Sequence, residues 1–283
     1  MLLIKKGDEL RYILGKKREA GLTIGFVPTM GALHAGHISL LETSKRENPL
    51  TVCSVFVNPT QFNDQKDFEN YPVTIENDIY LLEEAGCDIM FFPSPEEIYP
   101  HNIQKTRLYD LGFLETILEG KYRPGHFQGV CQVVHRLLDI VRPHKLYLGQ
   151  KDYQQLKIIK KLLELTGFDE SVKLKMCPTL REPDGLAMSS RNLRLGEEER
   201  KKAVAISQAL GNIKKNLKPG NTGLLVAEAK SFLSMQGFKT DYIEIADAGT
   251  LEPVNNWDGS QKMIALAAAA LNEVRLIDNL LLN

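Results

Sequence analysis

Short apolar runs and amphipathic stretches alternate along the first two-thirds of the chain. "LTIGFVPT" (22–29), "LTVCSVFV" (50–57) and "CDIMFFP" (87–93) read as strands, separated by a helix starting near His34 and another over "TIENDIYLLEEAG" (74–86). Alternating strands and helices predict parallel pairing, and near-continuous apolar strands such as "CSVFV" and "DIMFF" predict a sheet with helices on both faces. After Pro93 the pattern loosens through "SPEEIYPHNIQKTRLYDLGFLETILEGKYRPGHF". That stretch is long enough to predict a functional excursion with short elements of its own, and 94–125 is a candidate lid. Val130, Val133, Val134, Leu137, Leu138 and Val141 then mark one buried helix face, stopped by Pro143. A strand "KLYLG" (145–149), a helix over "YQQLKIIKKLLELTG" and a fifth strand "VKLKMCPT" (172–179) complete the unit.

The predicted fold class is therefore α/β, a Rossmann-like doubly wound parallel sheet over 1–179, followed by a smaller α+β domain over 180–283. The second part shows two helical patterns, "GEEERKKAVAISQALGNIKKNL" and one after "KPGNTG", then strand-like "TDYIEIAD" and "KMIALAAAAL". No internal repeat or low-complexity tract interrupts it.

Composition narrows the function without naming it. A chain of 283 residues with 43% hydrophobic and 25% charged residues is an ordinary globular protein, which disfavours fibrous and disordered classes. A net charge of -1 offers no overall basic surface, so no nucleic-acid partner is expected, although a local basic cleft could hold an anion. Cys53, Cys87, Cys131 and Cys177 lie far apart with no CxxC pair, which predicts buried thiols in a reducing compartment. The start "MLLIKKGDELRY" turns charged too soon for a signal peptide, and no run approaches the ~18 apolar residues of a membrane span. A cytoplasmic protein with no membrane partner is expected.

Ligands in open parallel sheets bind outside the carboxyl ends of the strands, so chemistry-bearing residues should follow strands. His34 and His37 follow the first predicted strand, Asn58 and Gln61 the second, Lys151 and Asp152 the fourth. "MGALHAGH" places glycine where a backbone must approach a ligand closely, and two imidazoles at a helix start that already attracts anions. Phosphate handling suits that pattern. A capping histidine, a core histidine and a metal pair needing further ligands are the alternatives, as a helix N-cap is for Asp152 and a turn before Pro59 is for Asn58.

"HAGH" resembles the HxGH motif of the nucleotidyltransferase superfamily, and "AMSSRN" (187–192) resembles its second signature, related to the KMSKS loop of class I aminoacyl-tRNA synthetases. "FVNPTQF" (56–62), "RPGHFQGV" (123–130), "LGQKDYQQL" (148–156) and "REPDGLAMSSRN" (181–192) are similar to stretches of the pantoate-β-alanine ligase family, also called pantothenate synthetases. That resemblance implies ATP-dependent ligation of D-pantoate and β-alanine, releasing AMP and pyrophosphate through a pantoyl adenylate. It also implies Mg2+ with the ATP, a homodimer, and no covalent enzyme intermediate.

The resemblance assigns residues as well. His37 and His34 become catalytic, with His37 as the proton donor. Met30, Gly31, Ala32, Leu33, His34, Ala35, Gly36 and His37, then Gly149, Gln150, Lys151 and Asp152, then Leu180, Met188, Ser189, Ser190 and Arg191, are assigned to ATP. Gln61, Gln155 and Asn58 are assigned to pantoate, and Gln61 also to β-alanine. The stretch beginning "PDG" should form a turn, stay mobile and close over ATP. Metal ligands are not readable.

Two departures stand out. Arg191 is the only cation in "MSSR", where the synthetase signature carries lysines, and position 150 is glutamine where some family members have glutamate. The C-terminal "LNEVRLIDNLLLN" keeps the family's "RLIDN" and little else. The rival readings are another HxGH adenylyltransferase acting on a phosphate, a class I aminoacyl-tRNA synthetase, and a non-catalytic nucleotide sensor. The amides Gln61 and Gln155 argue against a phosphate acceptor, and the balanced charge against tRNA.

Overall fold

A computed structural model describes residues 1–100 and 107–283. The candidate lid over 94–125 therefore lies partly outside the described residues. The chain forms two compact units, one comprising Met1–Gln150 and Gln154–Pro178, the other Lys151–Tyr153 and Thr179–Asn283.

The larger unit is built on six strands: β1 (Leu2–Ile4), β2 (Ile24–Thr29), β3 (Leu50–Val55), β4 (Ile89–Phe91), β5 (Lys145–Gly149) and β6 (Lys173–Cys177). Their order is β1-β4-β3-β2-β5-β6, and every neighbouring pair is parallel. The principal helices are α1 (Gly7–Glu19), α2 (Ala35–Glu47), α4 (Ile75–Glu84), α7 (His126–Val141) and α8 (Tyr153–Thr166). Three short ones, α3 (Gln65–Glu69), α5 (Pro95–Ile98) and α6 (Leu118–Tyr122), lie in the longer connections. The doubly wound sheet is as the apolar pattern predicts, with one strand more. Leu2–Ile4 pairs with Ile89–Phe91, and three residues with only Ile4 buried are too few to show a period.

Connections leave β2 in one direction through β3 and β4, and in the other through β5 and β6, so the topological switch point lies between β2 and β5. Pairing of β2 with β5 is confined to Gly25 and Phe26, whereas its ladder with β3 continues to Thr29. Past Phe26 the β2 and β5 strands no longer pair, and Pro28, with no N–H, cannot extend that ladder. The crevice of the fold opens there. Beneath it Val27, Leu41, Cys53, Leu82 and Met90 form an apolar core with essentially no solvent exposure.

In the smaller unit, α9 (Glu197–Ala203), α10 (Ala205–Asn216) and α11 (Gly223–Met235) accompany β8 (Lys239–Asp247), β10 (Met263–Leu271) and β11 (Val274–Leu281). A two-residue ladder joins β7 (Gly220–Asn221) to β9 (Asn256–Trp257). The main sheet is antiparallel, in the order β11-β10-β8. Periodicity predicts one helix over 196–217, but it breaks at Val204 into α9 and α10. The last residues, for which no element is predicted, form β11, paired along its length with β10. Ala265, Ala267 and Ala269 of β10 present small buried side chains in the same core as Ile206, Ala209 and Leu210 of α10.

Candidate active site

The segment after β2 turns sharply before entering α2. Gly31 (φ 84°) and Ala32 (φ 48°) both take the left-handed conformation, which glycine tolerates and alanine adopts only when held. The holder is Asp78 of α4. Its buried carboxylate accepts the N–H of Ala32 at 3.0 Å, the N–H of Leu33 at 2.8 Å and the Thr74 hydroxyl at 3.0 Å. A Cβ on Gly31 would stand 2.9 Å from Asp78 Oδ2, so glycine is also what lets the carboxylate approach.

The loop ends in a reciprocal cap. His34 is the N-cap of α2, and its Nδ1 accepts the N–H of Gly36 at 3.1 Å. His37 Nδ1 accepts the N–H of His34 at 3.3 Å, closing a capping box with imidazoles in place of hydroxyl and carboxylate. A ring nitrogen that accepts carries no hydrogen, so in both rings the N–H is at Nε2. The ring centroids are 4.0 Å apart. Capping and phosphate handling are thus compatible: the cap uses Nδ1 and orients Nε2–H as a donor beside a helix N-terminus.

The turn after β3 carries the amides. Asn58 is 1% exposed, and both of its amide hydrogens are used, by Gln61 Oε1 at 3.2 Å and Gly129 O at 3.1 Å. Its oxygen accepts Tyr99 OH at 2.7 Å and the Thr60 hydroxyl at 3.0 Å. The turn reading of Asn58 holds, because it caps the 3-10 turn Pro59–Gln61. Gln61 lies beside Met30, to whose sulfur its Nε2 donates, so the structure brings Gln61, Asn58 and Met30 together. His126 Nδ1 donates to the Gln61 carbonyl at 2.7 Å, and Arg123, paired with buried Glu119, donates to His126 Nε2 at 3.2 Å.

Gln155 stands in the first turn of α8, half-buried. Its neighbour Gln154, not Gln155, holds the backbone of Leu114, Ile117 and Glu119. Among the described residues no hydrogen bond joins Gln155 to Gln61. Gly149 ends β5, and Gln150, Lys151 and Asp152 form a 3-10 turn entering α8.

Of the remaining assigned residues, Lys151 and Asp152 group with the smaller unit, as do Leu180, Met188, Ser189, Ser190 and Arg191. Leu180–Met188 is a tight hairpin. Met188 N–H donates to Leu180 O at 3.1 Å, Arg181 bridges Ala187, and Gly185 turns the tip with φ 96°. Ser189 caps the following 3-10 helix, its Oγ accepting the Arg191 N–H at 3.3 Å. The predicted turn at "PDG" is present, and its stem is tied down. Arg181 grips Asp278 through both terminal nitrogens, at 2.6 and 2.9 Å, and Asn192 donates to Ala187 O at 3.1 Å.

All four cysteines are free and buried, and burial pushes Cys131 up to about 12 and Cys87 to about 11. Neither supplies a thiolate at neutral pH. Among the described residues no group of three His, Cys, Asp or Glu side chains is placed to hold a metal, and no helix is long and apolar enough to cross a membrane. Sequence reasoning missed Asp78, Arg123 and His126. The latter two lie in "RPGHFQGV" and carry a local signal; Asp78, in mid-helix, carries none.

The doubly wound sheet, with a glycine turn and a pair of capping imidazoles following β2, defines an α/β protein of the Rossmann-like class. The family model described as pantoate-beta-alanine ligase matches residues 2–281. The chain belongs to the pantoate-β-alanine ligase family. It is 45% identical over 273 residues to a pantothenate synthetase of Porphyromonas gingivalis, covering 96% of this chain and 95% of the relative. It is 44% identical to that of Bacteroides fragilis, covering 99% and 98%. Among solved structures, the pantothenate synthetase of Thermus thermophilus superposes with a TM-score of 0.87 at 41% identity, covering 99% of both chains. A pantoate-β-alanine ligase from Francisella tularensis, complexed with β-γ ATP and β-alanine, superposes with a TM-score of 0.82 at 38% identity, covering 99% of this chain and 97% of that one.

Proposed function

We propose that this chain joins D-pantoate to β-alanine in two steps at the expense of ATP. A pantoate carboxylate oxygen forms a bond to the α-phosphorus while the bond to the β-phosphate oxygen breaks, releasing pyrophosphate. The β-alanine amine then attacks the pantoyl carbonyl, the bond to AMP breaks, and the nitrogen gives up a proton. ATP-dependent ligation of pantoate and β-alanine is the activity of the family to which the chain belongs.

The observation that carries the reading is the imidazole capping box. Two Nε2–H donors fixed beside the start of α2 suit an oxyanion that gains charge in the transition state, and they need no reorganisation as it forms. His37, read from the sequence as the proton donor, is assigned here as the hydrogen-bond donor to the leaving pyrophosphate, with His34 beside it, because a ring whose Nδ1 accepts is neutral and keeps its Nε2 hydrogen. Residues 30–37, Gly149, Gln150, Lys151, Asp152, Leu180, Met188, Ser189, Ser190 and Arg191 are each assigned to ATP. Gln61 and Gln155 take pantoate, Gln61 also meets β-alanine, and Asn58 acts by holding Gln61. Neutral amides suit a hydroxy acid because they add no charge that would recruit another anion.

Mg2+ is assigned to the nucleotide. The candidate phosphate-binding side chains are mostly nitrogen donors and cations, whereas Mg2+ wants hard oxygens, so ATP and water would supply its ligands with Asp152 the nearest candidate carboxylate in sequence. The metal would neutralise phosphate charge. The same reading carries a cytoplasmic location, a homodimer, and division of labour between a nucleotide and pantoate domain (1–179) and a smaller domain bearing the MSSR hairpin. Incubating the protein with ATP, Mg2+, D-pantoate and β-alanine should yield pantothenate and AMP by mass spectrometry. ATP binding with neither product would leave the sensor reading in place.

A further inference from the structure

We infer that Asp278 and Asn279 are positioning residues for the nucleotide site, tying the phosphate lysine and the MSSR hairpin to one strand. The inference rests on the assignment of Lys151 and the hairpin to ATP made above. Strand β11 carries these two polar residues side by side at 5% and 2% exposure. A buried carboxylate and a buried amide are costly unless paired. Their side-chain partners lie outside the sheet ladder: Lys151, assigned to phosphate, and Arg181, at the foot of the hairpin that leads to the assigned Ser189, Ser190 and Arg191.

Asn279 Nδ2 donates to the carbonyl of Lys151 at 2.8 Å, fixing the backbone from which the lysine stem springs. Asp278 takes the Arg181 fork at 2.6 and 2.9 Å, and Arg181 in turn donates to Gly185 O at 3.1 Å and Asn279 O at 3.3 Å. Arg181 stands at the foot of the hairpin whose other arm leads through Ala187 and Met188 into Ser189, Ser190 and Arg191. The N–H of Asn279 donates to Asp278 Oδ1 at 2.8 Å, locking the two clamps together. Asn279 thus anchors the backbone of Lys151, and the adjacent Asp278 anchors Arg181, at the foot of the hairpin that leads on to Arg191. Preorganisation of this kind lowers the cost of assembling a phosphate site when ATP binds.

The test compares Asn279→Ala, Lys151→Ala and the double variant, with Asp278→Asn as a second probe of the clamp. Asn279→Ala should raise the KM for ATP by about tenfold, with KM for β-alanine and the melting cooperativity unchanged, as the loss of one buried hydrogen bond would. In the double variant its effect should vanish, because it acts through Lys151. Amide exchange in peptides covering 151–153 should quicken in Asn279→Ala, and in those covering 180–191 in Asp278→Asn. Effects that multiply in the double variant, or exchange unchanged in both single variants, would overturn the inference. Lys151→Ala with normal ATP kinetics would instead remove the assignment of that lysine, and the exchange measurement would still decide the clamp.

Discussion

Asp78 accepts the N–H of Leu33 at 2.8 Å, so a carboxylate on α4 sets the conformation of a loop 45 residues earlier that carries both imidazoles. With the Ala32 N–H at 3.0 Å, it satisfies two buried donors of a segment whose left-handed backbone would otherwise relax. Asp78→Asn leaves one oxygen for these donors and a mispaired NH2. A stability loss of about 1–3 kcal/mol is expected from the unsatisfied groups. Turnover should fall further than stability alone explains, checked by thermal melts beside pyrophosphate release on the folded variant.

His34 and His37 separate by their second roles. Either alanine substitution should cost roughly 100- to 1000-fold in pyrophosphate release, the usual effect of losing one preorganised donor. His34→Ala should also lose about 1 kcal/mol through the lost N-cap, and His34→Asn should restore the cap without the rate. Near-normal turnover in either purified alanine variant removes that residue from the chemistry.

Gly129 lets α7 lie against the turn that carries Gln61. A Cβ there would stand 2.2 Å from Thr60 O and 2.8 Å from the Gln61 nitrogen, both backbone atoms that cannot swing aside. Gly129→Ala should therefore displace the Pro59–Gln61 turn and raise the KM for pantoate and β-alanine more than that for ATP. Initial-rate kinetics in each substrate check this, and an equal rise in all three would assign the defect to general unfolding.

At the other end of α2, Glu47 ties Lys145 of β5 and Lys175 of β6, at 2.9 and 3.3 Å. The hydrogen bond from Lys145 chiefly holds its carboxyl down to about 2 from the ordinary 4.5. A depressed carboxylate stabilises the fold fully above its unfolded value, and that contribution is lost as pH falls through the folded one. Glu47→Gln should thus lower the melting temperature at pH 7, and the gap to wild type should close as pH falls from 4.5 to about 2. High salt should narrow it too, since the pair is partly exposed.

The sheet was legible because "CSVFV" and "DIMFF" need cover on both faces, a property each strand carries locally. β1 and β11 were not, because Leu2–Ile4 is defined only by pairing with β4, and the charged and amide residues of "VRLIDN" break the apolar pattern of a strand that β10 nevertheless templates. In the candidate site, residue type and place after a strand singled out His34, His37, Gln61 and Lys151. Of the groups that hold them, Asp278 and Asn279 stood out only as part of "RLIDN", with no role readable, and Asp78 not at all. Asp78, Asp278 and Asn279 act across 45, 97 and 128 positions, and nothing near them in sequence marks the partner. Asn58 shows the two readings merging, since the turn residue is also the support of Gln61. The hairpin expected to be mobile is anchored at its stem by contacts equally distant in sequence.

Attack by a carboxylate on the α-phosphorus has a direct isotopic signature. With D-pantoate carrying 18O in its carboxylate, ATP, Mg2+ and β-alanine, one labelled oxygen should appear in AMP and none in pyrophosphate. Label in inorganic phosphate with ADP as co-product, or unlabelled AMP formed alongside pantothenate, would contradict the pantoyl adenylate and the phosphate role given to the two imidazoles.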